Sequence, residues 1–228
     1  MSKEITFITS IEVHGKAEFN LFCKFCYFGN IKKQFFVFLF VSLVCFGQEK
    51  NYNYIIEGSI FKISYNEHYE QPNWIEYRVR NIKKKFNRKG LNFYNVDSVY
   101  TSNNSDYKNN IWDKGHLAPA ASFSDTKANL KATFSFLNCV LQHNNLNRYE
   151  WAQLEAQVRD WASYYKADIE VRVDIIFDYG HQILTTGAHV PSAFRKTLKF
   201  ANGTKKCFYF PNSHTNGKDW TEFEISCN

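Results

Sequence analysis

The chain has 228 residues, 28 Lys plus Arg against 22 Asp plus Glu, and a formal net charge of +6. That length suits one domain of ordinary size, with enough apolar content to close a core without metals or disulfides. The mild basic excess favours an anionic partner and rules out neither an enzyme nor a binding module.

Residues 1–30 carry Met1, the only methionine, and precede what reads as a secretory signal over residues 31–47. Lys32 and Lys33 form a short basic region, Phe35–Gly47 is apolar, and Cys45 and Gly47 are small residues at positions −3 and −1 before Gln48. The run is shorter than the ~20 apolar residues that span a bilayer. Residues 1–30 are therefore read as a mis-assigned start or an extension of unknown role, and 48–228 as the mature domain, secreted or periplasmic, without stable membrane association after cleavage. The rivals are an uncleaved anchor and lipidation at Cys45, the latter disfavoured by Leu43 and Val44. Cys23 and Cys26 make a lone Cys-x-x-Cys with no second pair, a weak zinc or redox signal. In an oxidising compartment Cys207 is placed to pair with Cys227, leaving Cys139 buried and free.

Tyr52–Tyr65 reads as a strand ending in a polar turn over Asn66–Asn73, and Trp74–Arg80 alternates, with Tyr77 and Val79 on one face and Arg78 and Arg80 on the other. Arg78–Lys89 holds seven cations in twelve residues. It is either a solvated, charge-protected edge or a groove that tracks phosphates. Asn81–Asn110 is expected to be mostly loop. Thr133–Val140 is β-prone and carries Asn138. Arg148–Tyr165 is the clearest helix, with Trp151, Leu154, Val158, Trp161, Ala162 and Tyr165 at three- and four-residue steps and Asn147 as its cap. Ile169–Phe177, Gln182–Thr186, Ala193–Phe200, Lys206–Phe210 and Thr221–Ser226 read as further strands. The class is α+β, a strand-rich core with one dominant helix.

The chemistry concentrates in Asp113-Lys114-Gly115-His116-Leu117-Ala118-Pro119-Ala120, followed by Asn138, Asn147 and Glu155. A neutral His116 accepts a proton from water near neutrality, and Lys114 offers a charge to a phosphate oxygen. Two asparagines and a carboxylate suit a hydrated hard cation. Asn147, Glu155 and Arg159 fall on one face of a continuous helix at about 3.6 residues per turn. The competing reading of that stripe is a solvated face with an ordinary Glu–Arg pair.

Those residues resemble the DNA/RNA non-specific endonucleases, metal-dependent nucleases with a ββα-metal motif and an Asp-Arg-Gly-His signature followed by Leu-Ala-Pro-Ala. Thr133, Phe134, Asn138, Gln142, Asn147, Trp151, Glu155 and Arg159 continue the family pattern in order. The resemblance implies a ββα-metal core with a central antiparallel-rich sheet, and DNA and RNA as substrates. It implies His116 as general base and Asn147 as direct ligand of one Mg²⁺, with Mn²⁺ a possible substitute. Glu155 then holds a metal-bound water, Asn138 orients the catalytic site, and Arg159 meets phosphate or the charged intermediate. Lys114 stands where the family has Arg, so a two-pronged phosphate contact becomes a point charge. Arg88 is the better candidate than Arg78 for the upstream phosphate-binding arginine. His181, His189 and His214 match nothing catalytic and read as structural or surface residues. A catalytically weakened member that binds nucleic acid or protein without cutting is the alternative, motivated by Lys114 alone. A narrow-specificity HNH enzyme is disfavoured, since no zinc-knuckle cysteines are visible.

Overall fold

A computed structural model describes Thr6–Phe7, Cys23–Lys24 and residues 53–227. The segment read as a signal and Cys26 lie outside the described residues. The chain divides into a unit Met1–Gln48 and a unit Glu49–Asn228. In the first, β1 (Thr6–Phe7) pairs antiparallel with β2 (Cys23–Lys24). Among the described residues, no helix is long and apolar enough to cross a membrane.

The stretch from Asn53 to Asn66 is two strands rather than one. β3 (Asn53–Glu57) turns through Gly58 and pairs antiparallel with β4 (Phe61–Asn66). A four-residue turn leads to β5 (Gln71–Val79), which begins two residues before the expected turn ends and includes Pro72. Its alternation is as expected: Tyr77 and Val79 are buried, Arg78 and Arg80 exposed. β8 (Ile169–Ile176), β9 (Ala193–Lys199), β10 (Lys205–Pro211) and a short β11 (Glu224–Ile225) complete a sheet in the order β11-β10-β9-β8-β5-β4-β3. Every pairing in it is antiparallel.

Two expected strands did not form as such. Gln182–Thr186 makes only an isolated bridge, Ile183 with His189. Trp220–Phe223 is a 3-10 turn, because Asp219 caps it by accepting from the Thr221 amide, and Glu222 reaches back to the Asp219 amide. That reciprocal cap satisfies donors that a strand would have left to a neighbour.

β6 (Trp112–His116) and β7 (Cys139–His143) form a separate antiparallel ribbon. Between them lie α1 (Lys127–Ala132) and a 3-10 turn over Phe136–Asn138, so Asn138 precedes β7 instead of closing a strand. The β propensity of Thr133–Val140 yields at Thr133, which caps α1, and at Ser135, whose hydroxyl accepts from the Leu137 amide. Two side-chain amides fasten the ribbon to the sheet. Gln71 accepts from the Leu141 amide at 3.1 Å, while Asn212 accepts from the His143 amide at 2.8 Å and donates to Leu141 O at 2.9 Å.

The expected single helix is two. α2 (Asn144–Arg148) is capped by His143, Tyr149 breaks the path at φ −116°, ψ −94°, and α3 (Glu150–Tyr165) follows. Trp151, Leu154, Val158 and Ala162 of α3 pack on Ile75, Val173, Phe194 and Phe210 of the sheet in one core cluster. Each fully buried aliphatic or aromatic side chain there contributes about 1.5–3 kcal/mol.

Cys207 is bonded to Cys227 with a Cα separation of 5.3 Å, tying the C-terminal tail to β10, and Cys139 is buried and free. The bridge closes a loop of 20 residues. Cys227→Ser is expected to cost about 3 kcal/mol of stability. Thermal unfolding checks this, with reductant expected to bring the unmodified protein down to the variant and leave the variant unmoved.

Candidate active site

In β6 Asp113, Lys114 and His116 are half-buried and Gly115 is buried. Gly115 is required by crowding: a Cβ built there would overlap Oε1 of Gln142 and lie 2.7 Å from its Cβ. The ladder pairs Asp113 with Gln142 and Gly115 with Val140, which lays the Gln142 side chain across the glycine. Gly115→Ala is expected to destabilise the fold by about 1–3 kcal/mol through overpacking. An unchanged urea midpoint for that variant contradicts this account.

His116 ends β6 with its ring between Phe93, at 4.7 Å, and Phe134, at 4.9 Å, edge-on. Its Nε2 is buried and makes no hydrogen bond. Burial, and then the nearby charge of Arg88, push its pKa down to about 3. The imidazole is therefore neutral, the form that accepts a proton. Stability follows with a definite sign, since below about 6.5 the unfolded chain takes up a proton that the folded one refuses until about pH 3. Replacing His116 with Asn removes that penalty. The variant is expected to gain stability relative to the unmodified protein as pH falls from about 6.5 towards 3, by an amount of order a few kcal/mol. Paired urea titrations across that range read the difference directly.

Asn138 is fully buried. Its Nδ2 donates to Ala118 O at 2.9 Å and Thr133 O at 2.8 Å, and its Oδ1 accepts from the Ala118 amide at 2.8 Å. It does not line the cleft beside His116. Among the catalytic-site residues Asn138 is thus a positioning residue, as its expected orienting role has it: its amide oxygen and nitrogen bond only backbone groups of Ala118 and Thr133.

A cleft of about 820 Å³ collects Arg88, Lys114, His116, Asn147, Glu155 and Arg159. Asn147 is not a helix cap; it sits inside α2, before the break at Tyr149. Its Nδ2 donates to Asp113 Oδ2 at 2.9 Å, which fixes the amide and leaves Oδ1 as the acceptor to offer. Asp113 also takes a two-pronged bond from Arg148, Nε to Oδ2 at 2.8 Å and Nη2 to Oδ1 at 2.7 Å. Burial opposes the Asp113 charge, but the bonds from Arg148 and Asn147 outweigh it and its pKa falls below the usual value.

Glu155 has a buried Oε1, and Arg159 a buried Nη1, with no hydrogen-bond partner. Burial pushes Glu155 up to about 7 against the opposing pull of Lys196 and Arg159. Lys196, on β9, is 1% exposed with Nζ 3.5 Å from the Trp151 ring centre; burial brings it down to about 8, against Glu155, which pulls it up. Lys114 donates to Asn104 Oδ1, with its Nζ 5.6 Å from the Phe136 ring centre and 5.8 Å from those of Phe93 and Tyr107.

Arg78 is not brought to the cleft. It lies on the exposed face of β5 and donates to Glu170 at 3.1 Å, which removes it from the candidate phosphate contacts of the cleft, whereas Arg88 lines it.

The orphaned Nε2, Oε1 and Nη1, together with an orientated Asn147 Oδ1, fit a hydrated cation and an anionic substrate. Among the described residues no group of three or more His, Cys, Asp or Glu could hold a metal ion, so water would fill most of the coordination sphere. Sequence reasoning passed over Asp113 as an orienting group, Arg148, Phe93 and Lys196. Lys196 had a signal in the two-residue period Phe194, Lys196, Leu198, which puts the lysine on a buried face.

The DNA/RNA non-specific endonuclease family matches residues 47–228. Nuclease EXOG, mitochondrial, of Danio rerio is 28% identical over 103 residues, 43% of this chain and 30% of its own length. Endonuclease G, mitochondrial, of Bos taurus is 30% identical over 98 residues, 41% and 33% respectively. The chain thus spans about a third of those two relatives. Nuclease C1 of Cunninghamella echinulata var. echinulata is 25% identical over 207 residues, covering 81% of this chain and 82% of its own. A solved EndoG/EndoGI complex superposes with a TM-score of 0.64 at 22% identity, over 75% of this chain and 80% of that one, which shows a shared fold.

Proposed function

Since the chain belongs to the DNA/RNA non-specific endonuclease family, we propose that it is an exported, metal-dependent endonuclease that hydrolyses phosphodiester bonds of DNA and RNA. The observation that carries this is the convergence of His116, Asn147, Glu155, Arg159 and Arg88 on one cleft. Asn147 would hold Mg²⁺ or Mn²⁺ directly and Glu155 would hold it through water. The ion, when bound, supplies charge neutralisation at the phosphate and the leaving oxygen.

The chain's own residues supply the rest. Neutral His116 takes the proton of the attacking water, and the Phe93 and Phe134 rings hold it in place. Arg88 and Arg159 bind phosphate oxygens, with Lys114 as a third charge restrained by Asn104. Contacts of this kind address the backbone and carry no base information, which supports activity on both nucleic acids. The sequence of residues 31–47 and the bond between Cys207 and Cys227 support export to an oxidising compartment.

The purified protein should convert supercoiled plasmid to fragments and degrade single-stranded RNA with Mg²⁺, and stop when chelator is added. Failure to cut either substrate with any of Mg²⁺, Mn²⁺ or Ca²⁺ would overturn the reading. The second reading, a member that binds without cutting, is favoured by the restraint on Lys114. Salt-dependent DNA binding without turnover would select it.

A further inference from the structure

The residue assigned to the metal directly and the one assigned to it through water stand on different helices. Asn147 belongs to α2 and Glu155 to α3, with the break at Tyr149 between them. In one unbroken helix, positions 147 and 155 would be fixed ~12 Å apart along the axis, from a rise of about 1.5 Å per residue. The break gives up that constraint, and tertiary contacts must set the relation instead.

A side chain outside the cleft spans the break. The Thr215 hydroxyl lies 2.5 Å from Asn145 Oδ1 on α2 and 2.5 Å from Glu150 Oε2 at the start of α3. The Thr215 amide also donates to Asn145 Oδ1, at 2.9 Å. Thr215 is 5% exposed, Glu150 is fully buried and Asn145 half-buried, and none of the three lines the cleft. We propose, on the metal-dependent reading of the cleft, that Thr215 is a positioning residue that joins α2 to α3 and thereby holds Asn147 in register with Glu155 for the ion.

Thr215 can serve as a fixed point because the sheet holds it. It follows β10 closely, and β10 is seated in the core through Phe208 and Phe210, both fully buried, with the Phe210 ring 5.5 Å from that of Trp151 on α3. Between them Asn212 donates to Pro191 O at 2.8 Å and Leu141 O at 2.9 Å, and accepts from the amide of His143, the cap of α2, at 2.8 Å. One short segment after β10 thus holds α2 both at its cap and at Asn145. Asp113 takes Asn147 and Arg148, which ties α2 to the ribbon but not to α3. The Thr215 hydroxyl supplies a link to α3 and so to Glu155. Removing it takes from Glu150 the bond to Oε2, while Oε1 already has no partner, so the first turn of α3 loses a buried polar contact that nothing apolar replaces.

Two measurements on the full-length protein test this without reference to cleavage. In the metal-free state, hydrogen exchange of the backbone amides in residues 144–149 is expected to be faster in Thr215→Val by about tenfold or more, and close to that of the unmodified protein in Thr215→Ser, which keeps the hydroxyl. Mn²⁺ binding, followed by electron spin resonance, is expected to weaken by about 10–100-fold in Thr215→Val, the range for loss of a group that orients a metal ligand, and to recover in Thr215→Ser. Asn145→Ala, at a half-buried position, is expected to act in the same direction and serves if Thr215→Val fails to fold. Cleavage at saturating Mn²⁺ is expected to stay within about threefold of the unmodified rate, since Thr215 lies outside the cleft. Unchanged exchange in residues 144–149, unchanged Mn²⁺ affinity, or a Thr215→Ser protein as impaired as Thr215→Val overturns the proposal. An unmodified protein that binds no Mn²⁺ overturns the endonuclease reading, and exchange in residues 144–149 then decides by itself whether Thr215 joins the two helices.

Discussion

His116→Ala is expected to lower the cleavage rate by about 10²–10⁴-fold, the range for loss of a positioned general base. The magnitude is expected at the upper end because Nε2 makes no hydrogen bond through which a neighbour could take over its role. The fold should survive, since the deletion removes an unpartnered buried nitrogen and leaves the Asn138 clamp on Ala118 and Thr133 untouched. Metal affinity should also survive, because Asn147 is orientated by Asp113 and not by His116. A plasmid assay beside circular dichroism separates these effects. A variant that cuts within tenfold of the unmodified protein would remove His116 from the mechanism.

Asn147→Ala is expected to remove most of the affinity for Mg²⁺, raising the concentration needed for half-maximal cleavage by well over tenfold. In the proposed function the protein offers the ion one amide oxygen and one carboxylate acting through water, and among the described residues no group of three or more His, Cys, Asp or Glu could compensate. Asp113→Ala should reproduce part of the loss, about 10–100-fold in affinity, because it frees both the Asn147 amide and the Arg148 guanidinium. Mg²⁺ titration of the cleavage rate reads both variants. Equal Mg²⁺ dependence in Asn147→Ala and the unmodified protein would place the ion elsewhere in the cleft.

Periodicity made the scaffold legible where one physical cause dominated. The alternation Trp74–Arg80 and the apolar steps from Trp151 to Ala162 survive in the fold because burial on a single face drives both. Legibility failed where local hydrogen bonds outbid propensity. Ser135 and Thr133 turned a β-prone stretch into a helix cap and a 3-10 turn, and Asp219 with Glu222 did the same near the C-terminus. The helix was misread for another reason: Asn147 and Glu155 have the right spacing for one straight face, and nothing in the composition announces the break at Tyr149. Both residues still reach the cleft, carried by two helices instead of one. Lys196 was hidden because a lysine in a strand is ordinarily taken for a solvent-facing residue, although its two-residue neighbours Phe194 and Leu198 are both buried.

Three polar atoms in the cleft, on His116, Glu155 and Arg159, are buried without partners. Each is a debt the folded state carries, and apolar residues of similar volume would not. Lineages of this fold released from selection for cutting should therefore drift towards greasier clefts on unchanged scaffolds. In such lineages an intact seven-stranded sheet testifies only to ancestry, whereas the persistence of these three ill-satisfied groups testifies to use.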